Sequence, residues 1–306
     1  MPVPYFHLVF TLPHAFNPLI AQNQAALYAL LFAAATETLL EFGRQKFGAD
    51  LGITAVLHTW GQTLVDHYHL HCIVSGGGLA DGGRRWVKSH PRYLFAVAAL
   101  AAVFRAKFCA GLQRLYRAGR LQFHGQLQPL AEPAAFQRLV RAATATDWVV
   151  YSKRPFAGPE QVLAYLSRYT HRVGISNRRI VGFDSAAATV SFRYRDYADR
   201  SRLKTMTLTS AEFVRRLRLH ILPERFVKIR HYGLLANRGR QTRLAAARRL
   251  LSAPEAAGPS RTDDAMNGES TAAAWPCPRC GRRELVFVRV VPALAQARPV
   301  ATLDSS

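Results

Sequence analysis

Cysteine is sparse in this chain, and so are acidic side chains and long apolar runs. Four cysteines in 306 residues, Cys72, Cys109, Cys277 and Cys280, do not make a disulfide scaffold, so a reducing, cytoplasmic compartment is expected. The longest apolar stretches, such as Leu94 to Phe104, are too short to cross a bilayer and are followed by Arg and Lys. Neither a signal peptide nor a spanning helix is therefore expected, and no membrane partner. No internal repeat is visible.

The shortage of acid is the informative one. Asp and Glu number 19 against 41 Lys and Arg, a formal charge of +22. The excess is uneven: 13 basic against 7 acidic residues over 1–150, 22 against 6 over 151–251, and 6 against 6 over 252–306. A basic middle-to-late segment in which Arg outnumbers Lys suits phosphate contacts and points to nucleic acid.

Apolar periodicity divides the chain into elements. Strands are expected at 5–12, 53–60, 67–75, 148–152, 179–183, 189–194, 205–208 and 226–231. Of these, 148–152 reads as a buried-type strand and 179–208 as a meander. Helices are expected at 18–47, 91–117, 133–143 and 159–172, from Ser210, and in a basic stretch through Leu251. Gly76-Gly77-Gly78 with Asp81-Gly82-Gly83 reads as a loop, and 121–130 as a short strand and loop. Residues 252–275, rich in Ala, Pro, Gly, Ser and Asp, read as a flexible linker. A tail at 276–306 carries Cys277 and Cys280.

Three groups of residues carry chemistry. Side chains two apart in a strand point the same way, so His69 and His71 share one side of their strand. His58, in the preceding apolar run, supplies a third imidazole if the two strands pair antiparallel. Three imidazoles with open positions hold a divalent cation and leave room for a phosphate oxygen. His67 alternates onto the same side and competes for the third position, with Gln62 a weaker alternative. The bland reading is a set of histidines that satisfy hydrogen bonds in a sheet. Next, Tyr165 and Tyr169 lie four apart and share a helix face, near Arg168 and Arg172. A phenol with a pKa near ~10 is a poor nucleophile, but cationic neighbours and a metal-polarised phosphate make attack feasible. Ordinary aromatic packing is the competing reading. Taken together, the two groups fit transesterification of a DNA phosphodiester by tyrosine. Last, Cys277-Pro278-Arg279-Cys280 is half of a structural Zn²⁺ site, completed by another ligand or a degenerate remnant.

FTLPH at 10–14, LHTWGQ at 57–62, HLHCIVSGGG at 69–78, VLAYLSRYTHRVGISNRR at 162–179 and RHYGLLANR at 230–238 resemble the two-tyrosine HUH transposases of rolling-circle insertion sequences. The resemblance runs from Tyr5 to about Leu251. It implies an α+β fold in which an antiparallel sheet is flanked by helices, with the two-histidine strand central and the tyrosine helix alongside. The HUH endonuclease domain falls at 1–175, followed by a basic DNA-binding extension at 176–251. It also implies Mg²⁺ or Mn²⁺ at His69 and His71, nucleophiles at Tyr165 and Tyr169, and single-stranded DNA at transposon ends and target. Cleavage leaves a 5′-phosphotyrosine and a free 3′-hydroxyl. Arg168, Arg172, Arg178, Arg179, Lys228 and Arg230 are the expected DNA contacts, and the location is cytoplasmic, at the bacterial nucleoid. The zinc-binding N-terminal domain usual in the family is not expected before Tyr5. Three imidazoles by themselves suggest Zn²⁺, since Mg²⁺ prefers oxygen; Mn²⁺ suits both arguments. A metal-dependent DNA hydrolase and a decayed, non-catalytic nucleic-acid binder are the competing functions.

Overall fold

One continuous apolar side in each of three strands sets the architecture, while the other side mixes histidines with apolar residues such as Val9, Val56 and Ile73. The computed structural model describes residues 1–156, 160–162 and 174–252. Among these, six strands form an antiparallel sheet in the order β5 (Val150–Phe156), β1 (Tyr5–Thr11), β3 (Asp66–Ala80), β2 (Ala49–Trp60) and β9 (Ile229–Gly233), with β4 (Arg85–Lys88) paired to the end of β3. The helices α1 (Asn17–Gln22), α2 (Gln24–Phe47), α3 (Val97–Arg117) and α4 (Pro133–Thr144) precede β6 (Ile180–Asp184), β7 (Thr189–Asp196) and β8 (Arg202–Thr209), a second, three-stranded sheet. Then come α5 (Ser210–Leu219), β9 and α6 (Arg240–Ser252). The expected α+β class, with its antiparallel sheet and flanking helices, is what the chain adopts, and the two-histidine strand β3 lies in the interior of the sheet.

Phe6, Leu8 and Phe10 of β1, Leu51, Ile53, Ala55 and Leu57 of β2, and Tyr68, Leu70, Cys72 and Val74 of β3 all face one side. There they bury against Leu27, Leu31, Phe32 and Leu39 of α2 and Leu100, Phe104 and Phe108 of α3. The 24-residue α2 is long and apolar enough to cross a membrane by length and composition, which the sequence reading did not anticipate. Its apolar stripe instead packs on the sheet. Because that packing occupies the even positions of β3, the odd ones (His67, His69, His71 and Ile73) are left to the other face.

Several boundaries differ from expectation for local reasons. The long helix expected at 18–47 breaks at Asn23, whose side-chain amide donates to Leu19 O and Gln122 O while Oδ1 accepts from Gln122 N. Those bonds, with Gln22 holding His124, shape the 121–130 stretch into a connection ending in a 3-10 turn at Gly125–Ala131, not a strand. The three glycines at 76–78 are not a loop; β3 runs through them to Ala80. Gly77 has φ +135°, and a Cβ there would meet Trp86 Nε1 at 2.8 Å, so glycine lets β4 close onto β3. The helix expected from residue 91 starts only at Val97. Among the described residues β5 lies at the edge of the sheet, and the expected buried strand is buried on one face only: Trp148 and Val150 are 4% and 6% exposed, Val149 and Tyr151 62% and 51%.

Within 176–251 the meander β6–β8 is present as expected, but β9 returns to the first sheet and pairs with β2, Thr54 opposite His231. The second sheet is fastened at the β2–β3 turn. Leu64 packs among Val190, Phe192 and Phe213, Arg216 donates to Thr63 O at 3.0 Å, and buried His220 bonds Leu64 O at 3.1 Å. This clamp holds the turn beside the histidine end of β2 and β3.

Candidate metal and DNA site

The register of β2 and β3 brings the three imidazoles together. His58 lies opposite His69 and Val56 opposite His71, and all three histidines project from the face away from α2. One ring nitrogen from each lies within 4.8 Å of the others, and the residues are 4%, 1% and 1% exposed. Two bound nitrogens at about 2.1 Å stand about 3.3 Å apart, so a small rotation of the rings closes the set onto a cation.

Two rings are oriented through their far nitrogens. His69 Nδ1 donates to His67 O at 2.8 Å, which presents Nε2 as a lone pair. That Nε2 is buried and makes no hydrogen bond among the described residues. His71 Nδ1 lies 2.8 Å from Nε2 of His7, and the two rings stack at 5.0 Å. His7 sits on β1 opposite Ile73 and is 1% exposed. It escaped the sequence reading, although it is the polar member of an alternating apolar strand and shares its side with Val9 and Thr11. Pairing of β1 with β3 is what gives it meaning.

Burial holds these imidazoles neutral, the form that binds metal. His69 is lowered to about 3 by burial, then by the His67 charge. His7 is lowered to about 3 by burial, then by Lys153. His71 falls well below the usual range through burial, then through His58. Trp60 stacks on His58 at 5.2 Å, and the Lys228 ammonium lies 4.9 Å above the Trp60 ring, its pKa lowered by burial. The alternatives for the third position turn elsewhere. His67 directs Nδ1 at His14 Nε2, 3.4 Å away, and the amide of Gln62 bonds Tyr197 and the Arg195 backbone.

The expected DNA contacts divide. Lys228 stands beside the cluster. Arg178 is exposed at the start of the second sheet. Arg179 spends its guanidinium on Arg193 O, Gly174 O and Gln62 O, tying the second sheet to the β2–β3 turn. Arg230 lies on the opposite face of the sheet, over Phe32 at 4.3 Å and Phe226 at 4.9 Å, and packs with the helices. Tyr165, Tyr169, Arg168, Arg172, Cys277 and Cys280 lie outside the described residues, as do 253–275 of the expected linker and the 276–306 tail. What is described on either side of the tyrosine segment is informative. Val162 is buried with Tyr5 and Ile73, the latter two residues from His71 on the same face. At the other end, a Cβ on Gly174 would lie 3.6 Å from Trp60.

A family described as a putative transposase, Y2_Tnp, matches residues 52–243. The chain belongs to this transposase family. It is 43% identical over 293 residues to putative transposase y4qJ of Sinorhizobium fredii (strain NBRC 101917 / NGR234), covering 94% of this chain and 73% of that one. To the transposase for insertion sequence element IS801 of Pseudomonas savastanoi pv. phaseolicola it is 29% identical over 248 residues, covering 77% of this chain and 55% of the relative. A solved structure of the conjugative relaxase TrwC with oriT DNA, copper-bound, shares 20% identity and a TM-score of 0.29 over 36% of this chain and 42% of that one.

Proposed function

We propose that this transposase cuts and rejoins single-stranded DNA by tyrosine transesterification at the His58, His69 and His71 face. The observation that carries the reading is the pair of anchors around the tyrosine segment. The described residues that flank it, Val162 beside Ile73 and Gly174 beside Trp60, lie on the imidazole face on either side of the histidines. Tyr165 follows Val162 by three residues, a reach of at most about 11 Å.

The three buried imidazoles, two of them oriented by His67 O and His7, suit a divalent cation that accepts nitrogen donors, Mn²⁺ rather than the oxygen-preferring Mg²⁺. Bound there, such a cation supplies positive charge beside the scissile phosphate. The phenol of Tyr165 or Tyr169 gives up its proton as its oxygen forms a bond to phosphorus. The P–O3′ bond breaks, the 3′-oxygen takes up a proton as a free hydroxyl, and the 5′-phosphate stays on the tyrosine. Attack by a 3′-hydroxyl on that phosphotyrosine reverses the step on a new strand, and a second tyrosine allows two cleavages without releasing an end. Lys228, over Trp60, adds a cation for the DNA backbone.

Incubating the protein with 5′- or 3′-labelled single-stranded DNA and Mn²⁺ tests this. The expected product is an adduct stable in SDS on the 5′-phosphate side of the cut, lost in the Tyr165→Phe/Tyr169→Phe double variant. A free 5′-phosphate without adduct identifies a hydrolase. Salt-sensitive binding that survives His69→Ala with no cleavage identifies a non-catalytic binder.

A further inference from the structure

From Arg225 to Ser252 the chain carries eight Lys and Arg and no acidic residue. Helix α6, 13 residues long, holds four of these arginines. Its Leu244, Ala247 and Leu250 pack against Leu79, Leu234 and Trp86, and Leu251 reaches the Tyr5, Ile73 and Val162 group. The helix is thus fixed on the same face of the sheet as the imidazoles, further along β3. Leu79 lies opposite Asp50 and His71 opposite Val56, six residues of β2 apart, about 20 Å of strand.

The outward face of α6 is Gln241, Thr242, Ala245, Arg248 and Arg249, all exposed. Their spacing (i, i+1, i+4, i+7, i+8) puts them on one side of the helix. Arg243 is occupied differently, donating to Gly239 O and Ala236 O and closing the turn before the helix. Exposed Arg238 and Arg240 stand at the N-terminal end, where the first turn of the helix carries no acidic residue. Positive side chains at the positive end of a helix dipole repel one another unless an anion joins them. Beside the helix, β4 and the turn before it add exposed Arg84 and Lys88.

The occupant follows from what this face lacks. Single strands are held by aromatic side chains on which bases stack, and the outward face of α6 has none. A helix about 20 Å long with a small residue at its middle, Gln and Thr at one end and paired Arg at the other has the shape and the donor set that enter a duplex major groove.

We propose that α6, flanked by Arg84 and Lys88, docks double-stranded DNA. Resting on the reading of the imidazole face as the cleavage site, the duplex is the paired flank of the strand being cut, about six base pairs from the scissile phosphate at 3.4 Å each. The test is fluorescence anisotropy of the full chain with a labelled DNA duplex, a labelled single strand and an RNA duplex, in EDTA and over a salt series. The Arg248→Ala/Arg249→Ala variant is expected to weaken DNA-duplex binding by about tenfold or more and to flatten its log–log salt slope by about 2. Single-strand binding, Mn²⁺ affinity by calorimetry and adduct formation on a bare single strand stay at the parent level. Unchanged duplex affinity overturns the proposal. So does an equal loss on duplex and single strand, or an RNA duplex bound as tightly as DNA. Because the binding arms need neither metal nor cleavage, a parent protein that forms no adduct would defeat the proposed activity and leave the duplex result standing by itself.

Discussion

Moving the metal-free protein from pH 7 to pH 5 is expected to remove about 4 kcal/mol of stability through two histidines alone. His7 and His69 titrate near 3 in the folded chain, against 6.5 for the free side chain, with burial the main cause. Both are depressed, so no stability is lost above about pH 6.5, and it drains away as the pH falls towards about 3. At pH 5 the unfolded chain has bound a proton at each site and the folded chain has not, 1.5 pH units inside the window, which is about 2 kcal/mol per histidine. His71 is depressed in the same direction and adds to the loss. Against a total stability of about 5–15 kcal/mol this is a large fraction. Urea titrations at the two pH values should show the midpoint falling with little change in slope. His69→Leu should shrink the pH-dependent part by about 2 kcal/mol, and Mn²⁺, which competes with the proton for the same nitrogens, should move the loss to lower pH. Equal midpoints at pH 7 and pH 5 would refute the claim that these imidazoles are buried and neutral.

Other consequences are separable by assay. His7→Phe should lower Mn²⁺ affinity by about 10–100-fold by calorimetry while the triad remains, because His71 loses the group that orients its ring. Arg230→Ala should leave DNA affinity near the parent value but lower the urea midpoint, since its guanidinium packs over Phe32 and Phe226. Lys228→Ala should do the reverse, weakening DNA binding and its salt dependence. Leu31→Ala, at a fully buried position in α2, should cost about 2–5 kcal/mol in the same titration.

The histidine pair was legible because strand periodicity is local: His69 and His71 share a face whatever β3 pairs with. His58 was reachable because the connection to β3 is short and antiparallel pairing follows from it. His7 depended on pairing across 64 residues, which no local pattern specifies. Arg230 shows the same limit. A basic residue in a basic segment looks like a phosphate contact until the register opposite Ala55 puts it among the helix-side aromatics. Gly76 to Gly78 looked like a loop because glycine clusters usually mark one, whereas here the lack of side chains lets β2 and β4 crowd β3 from both sides. Asn23 was hidden inside a sound helical period, its effect arising from bonds to Gln122 far along the chain.

The most direct measurement is the fate of the 5′-phosphate when the protein meets labelled single-stranded DNA and Mn²⁺. A covalent adduct that survives SDS, maps by mass spectrometry to Tyr165 or Tyr169, and disappears in His69→Ala or His71→Ala is the expected result. A cut strand with its 5′-phosphate free in solution, or an adduct undiminished in the Tyr165→Phe/Tyr169→Phe variant, would contradict it.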